Sequence, residues 1–100
     1  LTVSPTTGAH GSTVAVTLTG AGFSGSSLVS ITLNGTLLLS GTLAYACSSG
    51  TLSGSTITTT AAGGFTCTLT LAKAAGAAIY TFTASDFTSG QVASAQFSRT

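Results

Sequence analysis

The side chains able to do chemistry are few, and they are scattered along the chain. Among 100 residues only Lys73, Asp86 and Arg99 carry a formal charge, and His10 is the single histidine. A Ser-His-Asp set needs a base oriented by an acid, and here only His10 and Asp86 could fill those roles. The plainer reading makes His10 an exposed turn residue beside Gly11 and Asp86 a turn residue between two strands. Paired-carboxylate chemistry needs two acids, and the chain has one. Structural zinc wants four ligands, while Cys47, Cys67 and His10 supply three at most. Calcium takes several carboxylates, so Asp86 alone makes a poor site. No glycine-rich run opens a long helix, which leaves no phosphate cradle. These residues predict no catalysis, no cofactor and no metal.

Two further positions carry chemistry of another kind. An even pair of cysteines, Cys47 and Cys67, in a small domain reads as one disulfide in an oxidising, extracellular compartment. Two buried thiols acting as small hydrophobes are the alternative. A bridge closing a loop of ~20 residues would add about 3 kcal/mol in the chain-entropy picture. Asn34-Gly35-Thr36 is both an N-glycosylation sequon and a hairpin-turn signal, and the turn alone would explain it. The abundant hydroxyls, 21 Thr and 15 Ser, offer O-linked sites as well. A glycan coat would hydrate a surface that lacks ions.

The scarcity of charge is itself informative. Ordinary soluble domains are roughly 25% charged, and net charge keeps molecules apart in solution. This chain is 3% charged with 43% hydrophobic residues, so it packs a core but lacks the usual defence against self-association. A net charge of +1 gives no footprint for nucleic acid or anionic membrane surfaces. No apolar run approaches the ~20 residues of a membrane helix. The chain opens at Leu1 with neither a signal peptide nor a long pilin-type helix. That reads as a processed or excised mature chain whose ends lie flush with its first and last strands.

The elements that position these residues repeat with period two. Thr13–Thr19 and Tyr80–Ala84 alternate apolar and hydroxyl residues, and in Phe65–Leu71 the alternation is strict. That pattern marks half-buried antiparallel strands with one wet face. Strands are predicted at Thr2–Ser4, Thr13–Thr19, Leu28–Leu33, Thr36–Leu39, Thr42–Cys47, Ser55–Thr60, Phe65–Leu71, Ile79–Ser85 and Val92–Ser98. Turn clusters separate them at intervals of about 8–12 residues, which argues for one all-β sandwich or barrel spanning residues 1–100. Ala72–Ala78 is alanine-rich but too short for a stable helix. Tyr80, Phe82 and Phe97 fall at inward positions, Phe23 reads as a core plug, and Phe87 is the aromatic nearest the surface. With no Trp, and with Tyr45 and Tyr80 the only tyrosines, an aromatic platform for sugars is thin. Leu37-Leu38-Leu39 and Leu43–Ala46 do not alternate cleanly. They predict either a strand buried on both faces or an apolar face covered by another subunit.

The order of these pieces resembles the immunoglobulin-like repeat modules of bacterial and archaeal cell-surface proteins. Val3-Ser4-Pro5-Thr6-Thr7-Gly8 resembles their opening strand and turn. Gly11-Ser12-Thr13-Val14 with Thr19-Gly20-Ala21-Gly22-Phe23 resembles their G-S-x-V and T-G-x-G-F segments. Gly64–Leu69 is similar to a G-x-F-x-x-x-L strand, and Tyr80–Asp86 to a Y-x-V-x-A-x-D strand. The chain lacks the several acidic residues of those modules and their Pro before the Tyr strand, and Thr36–Cys47 looks like an addition. The resemblance implies an immunoglobulin-like antiparallel β-sandwich of about seven to nine strands, extracellular and noncatalytic, and it transfers no site residues.

Composition and resemblance together lead to two expectations. The first is a structural subunit of an extracellular filament, pilus-like fibre or surface sheath. It would be a homopolymer joined by strand exchange or β-strand addition. Leu1 and Val3 on the first strand, Val92, Ala95 and Phe97 on the last, and Leu37, Leu38 and Leu39 between them are its candidate contact residues. The second is a spacer or adhesive module, sugar-binding in one version, of a larger secreted or cell-surface protein.

Overall fold

Alternating residues put one face of each strand against its neighbours' faces, and the computed structural model, which describes residues 1–100, shows two sheets built this way. There are eleven strands: β1 (Thr2–Ser4), β2 (Thr7–Gly8), β3 (Val14–Gly20), β4 (Leu28–Leu33), β5 (Thr36–Leu37), β6 (Ala46–Ser49), β7 (Thr51–Ser53), β8 (Thr56–Thr58), β9 (Phe65–Leu71), β10 (Ala78–Asp86) and β11 (Val92–Arg99). The smaller sheet runs β1-β3-β9-β6. The larger runs β2-β11-β10-β4-β8-β7, with β5 also paired to β4. The chain is thus an all-β sandwich. The strand count exceeds the expected seven to nine because β2 and β7, stubs of two and three residues, add to the nine strands read from the sequence. All pairs are antiparallel except β2 with β11. That exception arises because the opening segment changes sheets around Pro5 and then runs beside β11 in the same direction.

The core lies between the sheets. Val16, Leu18, Leu69 and Leu71 come from the smaller sheet, and Val29, Ile31, Phe82 and Phe97 from the larger. Phe23 closes one end, with its ring centroid 5.7 Å from that of Phe65. Gly20 sits under the Phe65 ring so closely that a Cβ there would collide with it. Asn34 and Gly35 both adopt positive φ, 50° and 84°. This is the two-residue primed turn that an Asn-Gly pair favours between twisted strands.

The region after that hairpin departs from expectation. Strand β5 ends at Leu37, not Leu39, and the strand expected over Thr42–Cys47 is instead a 3-10 turn at Thr42–Ala44 followed by β6. The backbone gives the reason. Gly41, Leu43 and Ala44 all take left-handed φ of 85°, 54° and 57°, which no strand accommodates. The turn drops Tyr45 into the core, where it is 2% exposed. Leu38 also turns inward while Leu37 and Leu39 stay outside, so the leucine run does alternate. Ala72–Ala77 forms no helix and stays a loop between β9 and β10.

Cys47 and Cys67 oppose each other on β6 and β9 and are joined by a disulfide, 20 residues apart in sequence. Reduction frees β6, which beyond this pairing has only a bulged ladder at Ser48. The expected loss is about 3 kcal/mol, read as a lower unfolding midpoint in denaturant when a reductant is present. An unchanged midpoint would mean that the ladder alone holds this edge.

Tyr45 presents the opposite case. Its hydroxyl is buried without a hydrogen-bond partner, and burial pushes its pKa up to about 12. A buried unpaired polar group costs about 1–3 kcal/mol. Tyr45→Phe is therefore expected to leave stability unchanged or raise it by about 1 kcal/mol. Because the folded state holds the phenol proton more tightly than the unfolded chain does, Tyr45 takes stability away as pH rises from about 10 toward 12. Chemical denaturation at neutral and alkaline pH checks both: the variant should lose part of this alkaline decline, and a destabilised variant would contradict the account.

Candidate interaction surfaces

Most outward positions of both sheets bear hydroxyls, with Ala15, Leu28, Ile79 and Val92 among the exceptions. Register aligns Thr2, Thr19, Thr66 and Ser49 in one row across the smaller sheet, and Ser4, Thr17 and Thr68 in the next. Strand spacing puts neighbours in a row about 4.8 Å apart and successive rows about 7 Å apart. On the larger sheet Ser94, Thr83 and Thr32 form a similar row. Neither face carries a charge, since Asp86 and Arg99 both point inward and Lys73 lies on a loop.

The charges gather at the two ends of the long axis, which measures 39 Å against 22 and 20 Å across. Asp86 ends β10 at one pole. The hydroxyl of Ser27 donates to it at 2.6 Å, and the backbone N–H groups of Ser24 and Thr88 each donate at 2.9 Å. These donors, led by Ser27, hold its carboxyl well below the usual carboxylate range despite burial, which acts the other way. Asp86 is thus the anchor of two loops rather than a simple turn residue.

Arg99 ends β11 at the other pole, paired with Ala78 at the start of β10. Its guanidinium donates to the carbonyls of His10 and Leu71 at 3.3 and 3.2 Å and lies 5.6 Å from the Tyr80 ring centroid. Its Nε is buried without a partner. His10 is exposed here, with Nδ1 2.7 Å from the Thr100 carbonyl oxygen. Lys73 stands on the adjacent loop, which Ala74 ties to the His10 carbonyl at 2.8 Å. All the basic side chains therefore share one pole and the only carboxylate side chain holds the other. Eight steps along β10, about 26 Å, separate Asp86 from the level of Arg99, so His10 and Asp86 do not form a catalytic pair. No three of His, Cys, Asp and Glu come together.

The residues expected to meet a neighbour divide into two groups. Val3, Leu38 and Phe97 are buried in the chain's own core, and Leu1 and Ala95 pack against it. Leu37, Leu39 and Val92 are exposed. Asn34 is exposed on the hairpin, where its Oδ1 accepts the Thr81 N–H at 2.8 Å. The roles of Asp86 and Arg99 escaped the sequence reading, although parity signalled them. Asp86 follows the inward series Tyr80, Phe82 and Ala84, and Arg99 follows Ala93, Ala95 and Phe97.

These features define a disulfide-bonded β-sandwich with uncharged hydroxyl faces and oppositely charged poles. No family model, no curated protein and no solved structure matches the chain.

Proposed function

We propose that the chain is a noncatalytic structural subunit of an extracellular filament, pilus-like fibre or surface sheath, joined to its neighbours by β-strand addition or exchange. The observation that supports this reading is the character of the sheet edges. Natural sandwiches protect edges with charged residues, prolines, bulges or very short strands. Here the edge strands β1, β2, β6 and β7 are only two to four residues long, and Pro5 and the bulge at Ser48 interrupt two of the edges, but none of the four contains a charged residue. The arm Leu1–Gly8 is also lightly held. It makes three register pairs with β3 and two with β11, and only Val3 is buried. Exchanged between copies, this arm would pivot near His10 and return Gly8 to a neighbour's Arg99, linking copies side by side. The disulfide suits an oxidising compartment, and a glycan at exposed Asn34 would add to the uncharged coat.

A charge on the arm tests this. Ser4 is exposed on β1, so Ser4→Lys should guard the edge without unfolding the domain. Sedimentation across a concentration series should show the parent chain growing in size and the variant remaining a folded monomer. A parent chain that stays monomeric throughout would overturn the proposal.

A spacer or adhesive module of a larger surface protein is the second reading. Leu1 lies at the Asp86 pole and Thr100 at the Arg99 pole, as in domains strung end to end.

A further inference from the structure

Turns and loops are where polar residues normally collect, and in this molecule both poles also expose apolar side chains, set among polar ones such as Thr88, Ser89 and Gln91 at one end and His10, Ser12 and Thr13 at the other. At the Asp86 pole Phe87 is 61% and Val92 63% exposed. The Phe87 N–H donates to the Leu28 carbonyl at 3.0 Å, which sets Phe87 next to Leu28, itself exposed. Ala61 and Ala62 are exposed on the adjoining turn. At the Arg99 pole the loop bearing Lys73 exposes Ala72, Ala75 and Ala77, and Ile79 beside it is 60% exposed.

We infer that the two poles are the two halves of one end-to-end contact between copies of this domain, with the strands running along the axis of the stack. Two independent features lead there. The first is the apolar surface, which occurs at both ends of the long axis. The second is charge complementarity. Exposed Lys73 and buried Arg99 give one pole a positive side-chain charge, while Asp86, buried and the only carboxylate side chain, sits at the far end. Apposing unlike poles brings the Asp86 end of one copy to the basic end of the next. Apposing like poles brings Lys73 to Lys73.

The two features do different work. Burial of Phe87 and its neighbours against the alanine loop supplies affinity. An exposed lysine adds little affinity, but it fixes polarity, because charge patterns select orientation more than strength. A contact between two different patches is heterologous and continues indefinitely unless it closes into a ring. Side-by-side exchange of the Leu1–Gly8 arm and end-to-end stacking run in different directions, so together they would build a sheet. The inference takes the existence of a neighbour from the assembly reading and adds the direction of contact.

The test uses the whole chain and three exposed substitutions: Phe87→Ser and Lys73→Glu at the poles, and Thr68→Glu on a hydroxyl face. Melting temperature and circular dichroism confirm that each folds. Electron microscopy reads the repeat along the stack, and sedimentation reads the concentration at which assembly begins. The parent chain should show an axial repeat close to the 39 Å length of the molecule. Phe87→Ser should raise the onset concentration roughly tenfold or abolish the repeat. Lys73→Glu should produce a smaller rise, and Thr68→Glu should leave the axial repeat in place. Assembly of the parent with a repeat unaffected by Phe87→Ser overturns the pole contact alone and leaves the assembly reading standing. That result would also assign the exposed poles to some other partner. A parent chain that never assembles overturns both.

Discussion

Replacing Asp86 with asparagine is expected to lower the melting temperature at neutral pH by on the order of 10 °C and to remove the acid limb of the stability profile. The carboxylate accepts from the Ser27 hydroxyl and from the backbone N–H groups of Ser24 and Thr88. Its neutral replacement keeps one weaker acceptor and turns an NH2 group toward donors. Those donors lie in the loops after β3 and β10, so their loss loosens the whole pole. The same contacts set the pH dependence. Because the folded pKa is depressed, the stabilisation is complete above the unfolded value near 3.9. It is lost as pH falls below that value toward the folded one. Asp86 is the only carboxylate side chain, so the profile should stay level down to about pH 4 and then fall. Calorimetry of the parent and of Asp86→Asn across this range decides the matter. An acid limb that survives in the variant would show that another group is responsible.

The second large effect separates the two terminal strands. Phe97 on β11 is fully buried and pairs across the ladder with Tyr80, their ring centroids 6.1 Å apart. Phe97→Ala should cost about 3–5 kcal/mol. Val3, the only buried side chain of β1, is smaller and sits on a sheet edge, so Val3→Ala should cost about 2 kcal/mol. Denaturant unfolding of both variants measures the difference. A large gap makes β11 part of the permanent body and leaves the Leu1–Gly8 arm as the segment able to exchange. Equal costs would remove the reason to prefer that arm.

Alternation carried most of the fold in the sequence. The strands read at Thr2–Ser4, Leu28–Leu33 and Phe65–Leu71 form with those bounds; for Phe65–Leu71 the reason is that a strict period of two with one apolar face has only one stable register. Asn34-Gly35 marked its hairpin for a similarly local reason. The segment Gly41–Tyr45 was not legible, since its path depends on left-handed turns at Leu43 and Ala44, residues that carry no local preference for them. The stubs β2 and β7 were hidden because Thr7-Gly8 and Thr51–Ser53 are too short to show a period and pair only because longer strands already stand beside them. The polar arrangement was partly encoded. Parity puts Asp86 and Arg99 inside, but only the antiparallel pairing of β10 with β11 places them at opposite ends of the molecule.

The central claim is that the chain is built to assemble, and electron microscopy of the native material at micromolar concentration, with intact-mass measurement of the same sample, tests it most directly. The account predicts ordered fibres or sheets, with any excess over the 9.6 kDa of the bare chain reporting attached glycan. Monodisperse particles of a single domain at every concentration would contradict it and would favour the spacer or adhesive module.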